Sequence, residues 1–192
     1  MDSPWRGRPR DPRIDEAVLS ATLAELAEHG YEGLSLARVA ERAGTSRQAV
    51  YRRHPGKPEL VAAAVAAVAA TEAEPPTPTG EWWSDLAAAL DHEAEAFLRA
   101  DAAAAVGPLL WRGDDDPLGI VARRHVLAPR RRRCRALLRR GIDEGELRAD
   151  LDVEVTVDLL LGALLARWQA GGRLPSTWPD RVVDALGPAL VP

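Results

Sequence analysis

Ser46, Arg47, Gln48, Tyr51 and Arg52 lie within seven residues of one another in the stretch Thr45–His54, T-S-R-Q-A-V-Y-R-R-H. Arginine can pair two donors with the O6 and N7 acceptors of guanine, and glutamine can pair a donor and an acceptor with adenine. On a short helix these five residues point outward while Val50 points inward. A helix N-terminus adds free N–H groups and a dipole that favour phosphate. From Leu36 to Pro58 the basic residues Arg38, Arg42, Arg47, Arg52, Arg53 and Lys57 face one acid, Glu41, a net of +5. Residues 61–192 carry 15 arginines and 20 acids, so this end alone is dressed for a polyanion.

Other groups with reactive potential are scattered. Arg123 to Arg140 holds nine arginines and no acid. It reads either as a solvated face answered by Asp114–Asp116, Asp143, Glu144 and Glu146, or as a surface or pocket for an anion. Cys134 sits among those arginines, whose charge would lower a thiol pKa and favour redox sensing, but no second cysteine is present to resolve it. A di-metal bundle needs two Glu-x-x-His motifs, and the residues three before His92 and His125 are Ala89 and Ala122. With no Ser/His/Asp spacing and no Gly-rich phosphate loop, catalysis is not expected, nor is a metal or cofactor.

The elements that must position these residues are helical. Asp11-Pro12 reads as a cap followed by Pro at the first helical position, and Ile14, Val18, Ala21 and Leu26 follow at helical spacing up to Gly30. Leu36, Val39, Ala40 and Ala43 form one apolar stripe from Ser35 to the break at Gly44. Thr45 and Gln48 make a T-x-x-Q capping box for a short helix ending near His54. A fourth helix is expected from Pro58 to Glu72, then the linker Glu74–Gly80. Further helices are expected at about 81–100, 102–112, 117–144, 152–171 and 178–190, with Gly107-Pro108 and Pro129 kinking or interrupting the second and third of these. Asp116 and Asp152 are cap candidates.

At 192 residues, 46% hydrophobic and 28% charged, the chain can bury a core. Its longest uncharged apolar stretch, Leu60 to Ala70, is 11 residues against about 20 for a membrane span. One cysteine excludes a disulfide framework, and MDSPWRGRPR has no signal-peptide apolar run, so a cytoplasmic location is expected. The architecture is expected to be all-α, about nine helices: a basic arm (1–10), a helix-turn-helix head (11–57), a connecting helix (58–73) and a helical body (81–192).

The stretches Gly30-Tyr31-Glu32-Gly33-Leu34-Ser35-Leu36, Val39-Ala40-Glu41-Arg42-Ala43-Gly44, Ala49-Val50-Tyr51-Arg52-Arg53-His54 and Lys57-Pro58-Glu59-Leu60 resemble the TetR-type bacterial transcriptional regulators. The resemblance covers residues 11–65. More loosely, Gly145–Leu151 and Leu159–Gly162 look like the ligand-binding body of that family. It implies base reading by Arg47 and Gln48 flanked by Ser46, phosphate contacts by Tyr51, Arg53 and Lys57, and a capping Ser35 that touches the backbone. The other reading of Tyr51 is a core aromatic of the head, a role compatible with the phosphate contact. Ala37 stands where many members place a polar contact, which weakens the second helix as a DNA reader. Arg6-Gly7-Arg8-Pro9-Arg10 resembles an AT-hook core, an arm for the narrow A·T minor groove, or else is a solvated tail.

The resemblance also implies an apolar pocket in the body, for which Phe97, Trp111, His125 and Trp168 are candidates, and a four-helix dimer interface. Leu160, Leu164, Val182, Val183 and Leu186 are the candidates there, because the last two helices carry more apolar surface than one core uses. The function this implies is a homodimeric repressor binding a palindromic DNA operator, released by a small-molecule effector. The alternatives are a DNA-binding regulator without an effector and an architectural binder of A·T-rich DNA acting through the arm.

Overall fold

The computed structural model describes residues 11–70, 74–98, 100–171 and 174–192, which are helical with no strand among them. Helix α1 spans Pro12–Gly33. Asp11 caps it, its carboxylate accepting the Arg13 N–H at 3.0 Å, and Pro12 opens it without wasting a donor. The expected stop at Gly30 is a kink instead. Gly30 sits at φ 64°, which glycine adopts without a Cβ penalty, and the chain then makes one more turn to Gly33.

Helices α2 (Leu36–Arg42) and α3 (Arg47–Arg53) follow, joined at Gly44 with φ 61°. The capping register differs from expectation by one residue. Ser46, not Thr45, caps α3 and accepts the Ala49 N–H at 3.1 Å. Thr45 is already committed to the turn, donating its N–H to the Ala40 carbonyl at 2.9 Å. Ser35 occupies the cap position of α2 but its hydroxyl makes no capping hydrogen bond, which corrects the capping role implied for it.

Helix α4 spans Lys57–Ala70, α5 Trp82–Leu98, α6 Ala100–Leu110 and α7 Pro117–Ala122. A π turn, Arg123–Leu127, joins α7 to α8 (Ala128–Asp143), and α9 (Val153–Gly171) and α10 (Trp178–Leu190) complete the chain. Counting α7, the π turn and α8 as one rod, the described residues form nine helices. Asp116 and Asp152 both cap as expected, accepting backbone N–H groups two and three residues on. The π turn is the consequence of Pro129. Proline has no N–H and its ring would strike the carbonyl four residues back, so the rod widens, with Ala128 donating to Arg123 five residues before it. Pro108 does not interrupt α6; the bond its missing N–H forgoes is to the carbonyl of Ala104, at an exposed position.

Apolar residues collect in three cores. The head closes over Val18, Ala21, Val39, Ala40, Val50 and Leu60. A joint between head and body gathers Leu26 of α1, Leu34 just after it, Val61 and Val65 of α4, Val106 and Leu109 of α6, and Leu118 and Val126. The body core, from α5, α8, α9 and α10, includes Trp82, Leu86, Leu138, Val157, Leu160, Leu164 and Val182.

That distribution corrects Leu160 and Leu164 as residues of a dimer face. Leu160 and Leu164 are 0% exposed within one chain and Val182 is buried beside them; Val183 and Leu186 are partly buried. The face that α9 leaves open carries Val155, Leu159, Gly162, Ala163 and Ala166. Of these, Leu159, Gly162, Ala163 and Ala166 line an open groove together with Trp178, Arg181, Val182, Ala185 and Leu186 of α10. The core face and the open face of α9 sit side by side, so an error of one residue in register exchanges them.

Candidate nucleic-acid interface

The outward side of α3 is set by its inward side. Ala49 and Val50 are buried against α1 and α2, which leaves Ser46, Arg47, Gln48 and Arg52 exposed and Tyr51 48% exposed. Tyr51 is therefore a surface residue rather than part of the head's core. Ser46 fixes where the helix starts, so the Arg47 and Gln48 stems leave the first turn side by side with nothing packed over them. The arm residues Arg6, Arg8 and Arg10 lie outside the described residues.

Three other cations of the head are spent internally. Arg38 of α2 reaches Glu25 of α1 at 2.8 Å and donates to the Gly33 carbonyl at 2.6 Å. Arg42 bonds both carboxylate oxygens of Glu28 at 2.9 Å, which holds that carboxyl below its ordinary range. Arg53, with a side chain only 8% exposed, pairs with Asp15 and donates to the Ala49 carbonyl at 3.2 Å. This corrects Arg53 as a phosphate contact: its guanidinium braces α3 against α1. The helix-turn-helix is thus fastened to the first helix by an Arg–carboxylate pair at each of three points, and the net +5 overstates the charge it presents.

The acids that do this were missed in the sequence. Glu25 carried a signal, because it falls on the same buried stripe as Val18, Ala21 and Thr22, where a carboxylate requires a partner. Glu25, Glu28 and His29 bring ligand-type atoms within 4.8 Å of one another, but the two carboxylates are already committed to Arg38 and Arg42. Lys57, at the start of α4, donates to the Glu32 carbonyl at 2.9 Å and stands 4.6 Å over the Tyr31 ring.

The arginine-rich rod of the body is tied down in part by the expected Asp114 and Glu144, and more by acids of other helices. Arg131 and Arg135 bind Glu154 of α9, whose carboxyl is held down to about 2, chiefly by its hydrogen bond with Arg135; Arg131 also pairs with Asp158. Arg130 and Arg133 converge on Glu93 of α5, and Arg140 reaches Asp85 at 2.5 Å and Glu144 at 3.6 Å. Asp85 also accepts from Thr79 and Gly80, anchoring the end of the linker, and its carboxyl lies far below the usual range. Arg123 is wrapped by the carbonyls of Arg112, Gly113 and Asp114 at 2.9–3.3 Å.

Cys134 is buried, and loss of solvation, reinforced by Glu93, pushes its thiol up to about 12. A thiol so rarely ionised is a poor redox sensor, which sets that reading aside. Among the pocket candidates, Trp111 is 70% exposed in the turn after α6 and so does not line an interior cavity. Trp168 packs on the body core, its ring end 3.9 Å from where a side chain at Gly107 would begin. His125 is half-buried on the π turn, and the Phe97 side chain lies outside the described residues.

Comparison with known proteins agrees with this geometry. Residues 18–64 match the family described as "Bacterial regulatory proteins, tetR family", and residues 76–186 match "Tetracyclin repressor-like, C-terminal domain". The chain is 32% identical to the DNA-binding transcriptional repressor TetR of Mycobacteroides abscessus, over 88% of each protein. It is also 32% identical to the uncharacterized HTH-type transcriptional regulator YdeS of Bacillus subtilis, over 84% of this chain and 81% of that one. Among solved structures, the transcriptional regulator FadR from Bacillus subtilis in complex with stearoyl-CoA superposes with a TM-score of 0.70. It covers 89% of this chain and 96% of its own at 17% identity, a likeness of fold.

Proposed function

The chain belongs to the TetR family of DNA-binding transcriptional regulators, and from that premise we propose that it is a homodimeric repressor that reads a palindromic operator and is released by a small-molecule effector. The observation that carries the proposal is the exposed first turn of α3. Ser46 caps it, Arg47 and Gln48 are open to solvent, and three Arg–carboxylate pairs tie the unit to α1 behind them. In this reading Arg47 and Gln48 contact base edges, with Ser46, Tyr51, Arg52 and Lys57 on phosphates. The arm with Arg6, Arg8 and Arg10 reaches the adjacent minor groove.

Two heads are needed, because seven residues of helix span few base pairs. The open α9–α10 groove offers the surface for a second copy. Blocking transcription and responding to an effector require two head spacings with different operator affinities, and an effector shifts between them only by its differential affinity. A body that superposes on a regulator crystallised with stearoyl-CoA supports an effector with a long apolar chain, with Phe97, His125 and Trp168 as lining candidates. Such a protein works on the chromosome, in the bacterial cytoplasm, and needs no enzymatic activity.

The test is selection of duplexes from a random pool by the full-length protein, followed by binding at fixed salt. An inverted repeat bound tightly by wild type and lost with Arg47→Ala supports the proposal. Selection of A·T-rich duplexes without symmetry, indifferent to Arg47→Ala, overturns it in favour of the arm.

A further inference from the structure

At the junction of head and body one aromatic ring serves two cations. Tyr31, in the last turn of α1, packs against the joint core. The Lys57 ammonium lies 4.6 Å from its ring centroid and the Arg112 guanidinium 5.1 Å from it. Lys57 belongs to the head side, opening α4. Arg112 comes from the body, in the turn between α6 and α7.

Both cations are held by more than the ring. Lys57 gives one hydrogen bond to the Glu32 carbonyl at 2.9 Å. Arg112 pairs with Asp116 at 2.8 Å, and its own carbonyl accepts from Arg123 of the π turn at 2.9 Å. Direct contacts therefore run without a gap from the π turn through Arg123, Arg112 and Tyr31 to Lys57.

We propose that Tyr31 is a positioning residue for Lys57, and that Arg112, sharing the same ring, is the means by which the body disturbs that position. The proposal rests on the reading of Lys57 as a phosphate contact. A lysine carries a flexible four-carbon stem and three rotatable donors. The ring and the Glu32 carbonyl hold the ammonium through one face and one donor, and the remaining donors stay available for a phosphate oxygen. The freedom of the stem is then lost before DNA arrives. A displacement of the α6–α7 turn changes where Arg112 stands over the ring, and hence the field and space at Lys57.

The experiment measures affinity of the full-length protein for a pool-selected duplex across a salt series, with melting curves for every variant. Each phosphate contact contributes about 0.9 to the slope of log affinity against log salt. Lys57→Ala is expected to lower the slope by about that amount per head. Tyr31→Leu is expected to lower it equally, with an affinity loss of about two- to fivefold, the scale of a partly exposed cation–π contact. Tyr31→Phe keeps the ring and should retain the wild-type slope, and Tyr31→Leu should add nothing in the Lys57→Ala background. Arg112→Ala removes no residue of the apolar joint, though it gives up pairs with Asp116 and Glu32, and should change affinity about two- to fivefold in wild type but not in Lys57→Ala.

A wild-type slope in a folded Tyr31→Leu protein, beside a lowered slope in Lys57→Ala, overturns the positioning role. If Tyr31→Leu does not fold, an Arg112→Ala effect that is absent, or is the same with and without Lys57, overturns it instead. A wild-type slope in Lys57→Ala removes the phosphate assignment of Lys57, and the positioning role falls with it.

Discussion

Arg52 and Arg53 are adjacent in sequence and opposite in use. Arg52 points to solvent from α3, whereas the Arg53 guanidinium is folded back onto Asp15, which lies 38 residues earlier. Arg53→Ala should therefore destabilise the head by about 1.5–3 kcal/mol, the range for a hydrogen bond to a charged partner, and leave the salt slope of DNA binding unchanged. Arg52→Ala should do the reverse, lowering the slope by about 0.9 per head with little effect on melting. Melting curves and a salt titration of the two variants separate these outcomes, and a lowered slope in Arg53→Ala would return it to the phosphate contacts. The sequence made the excess of positive charge legible. It did not show which cations remain free, because that depends on where Asp15, Glu25 and Glu28 of α1 come to rest against α2 and α3. Only Glu25 betrayed itself, by standing on a buried stripe.

Elements were easier to read than their faces, because caps and breaks are local. Asp11, Asp116 and Asp152 each placed a helix start, and Gly44 the turn before α3. Pro129 marked a disturbance, though a proline alone does not say whether the rod widens into a π turn or breaks. The joins between elements are where substitution should tell most. Gly141 of α8 lies so close to α5 that a Cβ there would meet the Trp82 ring nitrogen at 2.5 Å and Leu147 at 3.0 Å. Trp82 is itself held by a 3.0 Å hydrogen bond to the Leu137 carbonyl. Gly141→Ala should cost about 1–3 kcal/mol in chemical denaturation; a neutral result would mean that the indole can move without losing its bond. The link between α8 and α9 should be sensitive to acid. With its carboxyl held down to about 2, Glu154 contributes stability that is complete above its ordinary value near 4.5 and is lost as pH falls toward 2. The melting difference between wild type and Glu154→Gln should be small, as for any solvent-exposed pair, and should close across that window. A difference that stays constant from pH 7 to pH 3 would show that the Arg131 and Arg135 pairs do not carry it.

For the whole molecule, the decisive surface is the one left open after all three cores have closed. Helix α9 is apolar around more than half its circumference, so its sequence announces two buried faces without saying which belongs to the chain itself. The structure divides them: Val157, Leu160, Leu161 and Leu164 enter the body core, and Leu159, Gly162, Ala163 and Ala166 line the groove with α10. Two substitutions on neighbouring turns should then behave oppositely. Leu164→Ala empties part of a closed core and should cost about 2–5 kcal/mol while leaving the association state unchanged. Leu159 is 51% exposed, so Leu159→Glu should leave the fold of each chain intact and place a charge in the centre of the proposed contact between two copies. The expected result in sedimentation is a monomer with wild-type helical content. Its affinity for a pool-selected inverted repeat should fall to that for a half-site, because the two heads then bind independently. A dimer that survives Leu159→Glu would move the interface off this groove, and the spacing of the heads would have to be set from another face of the body.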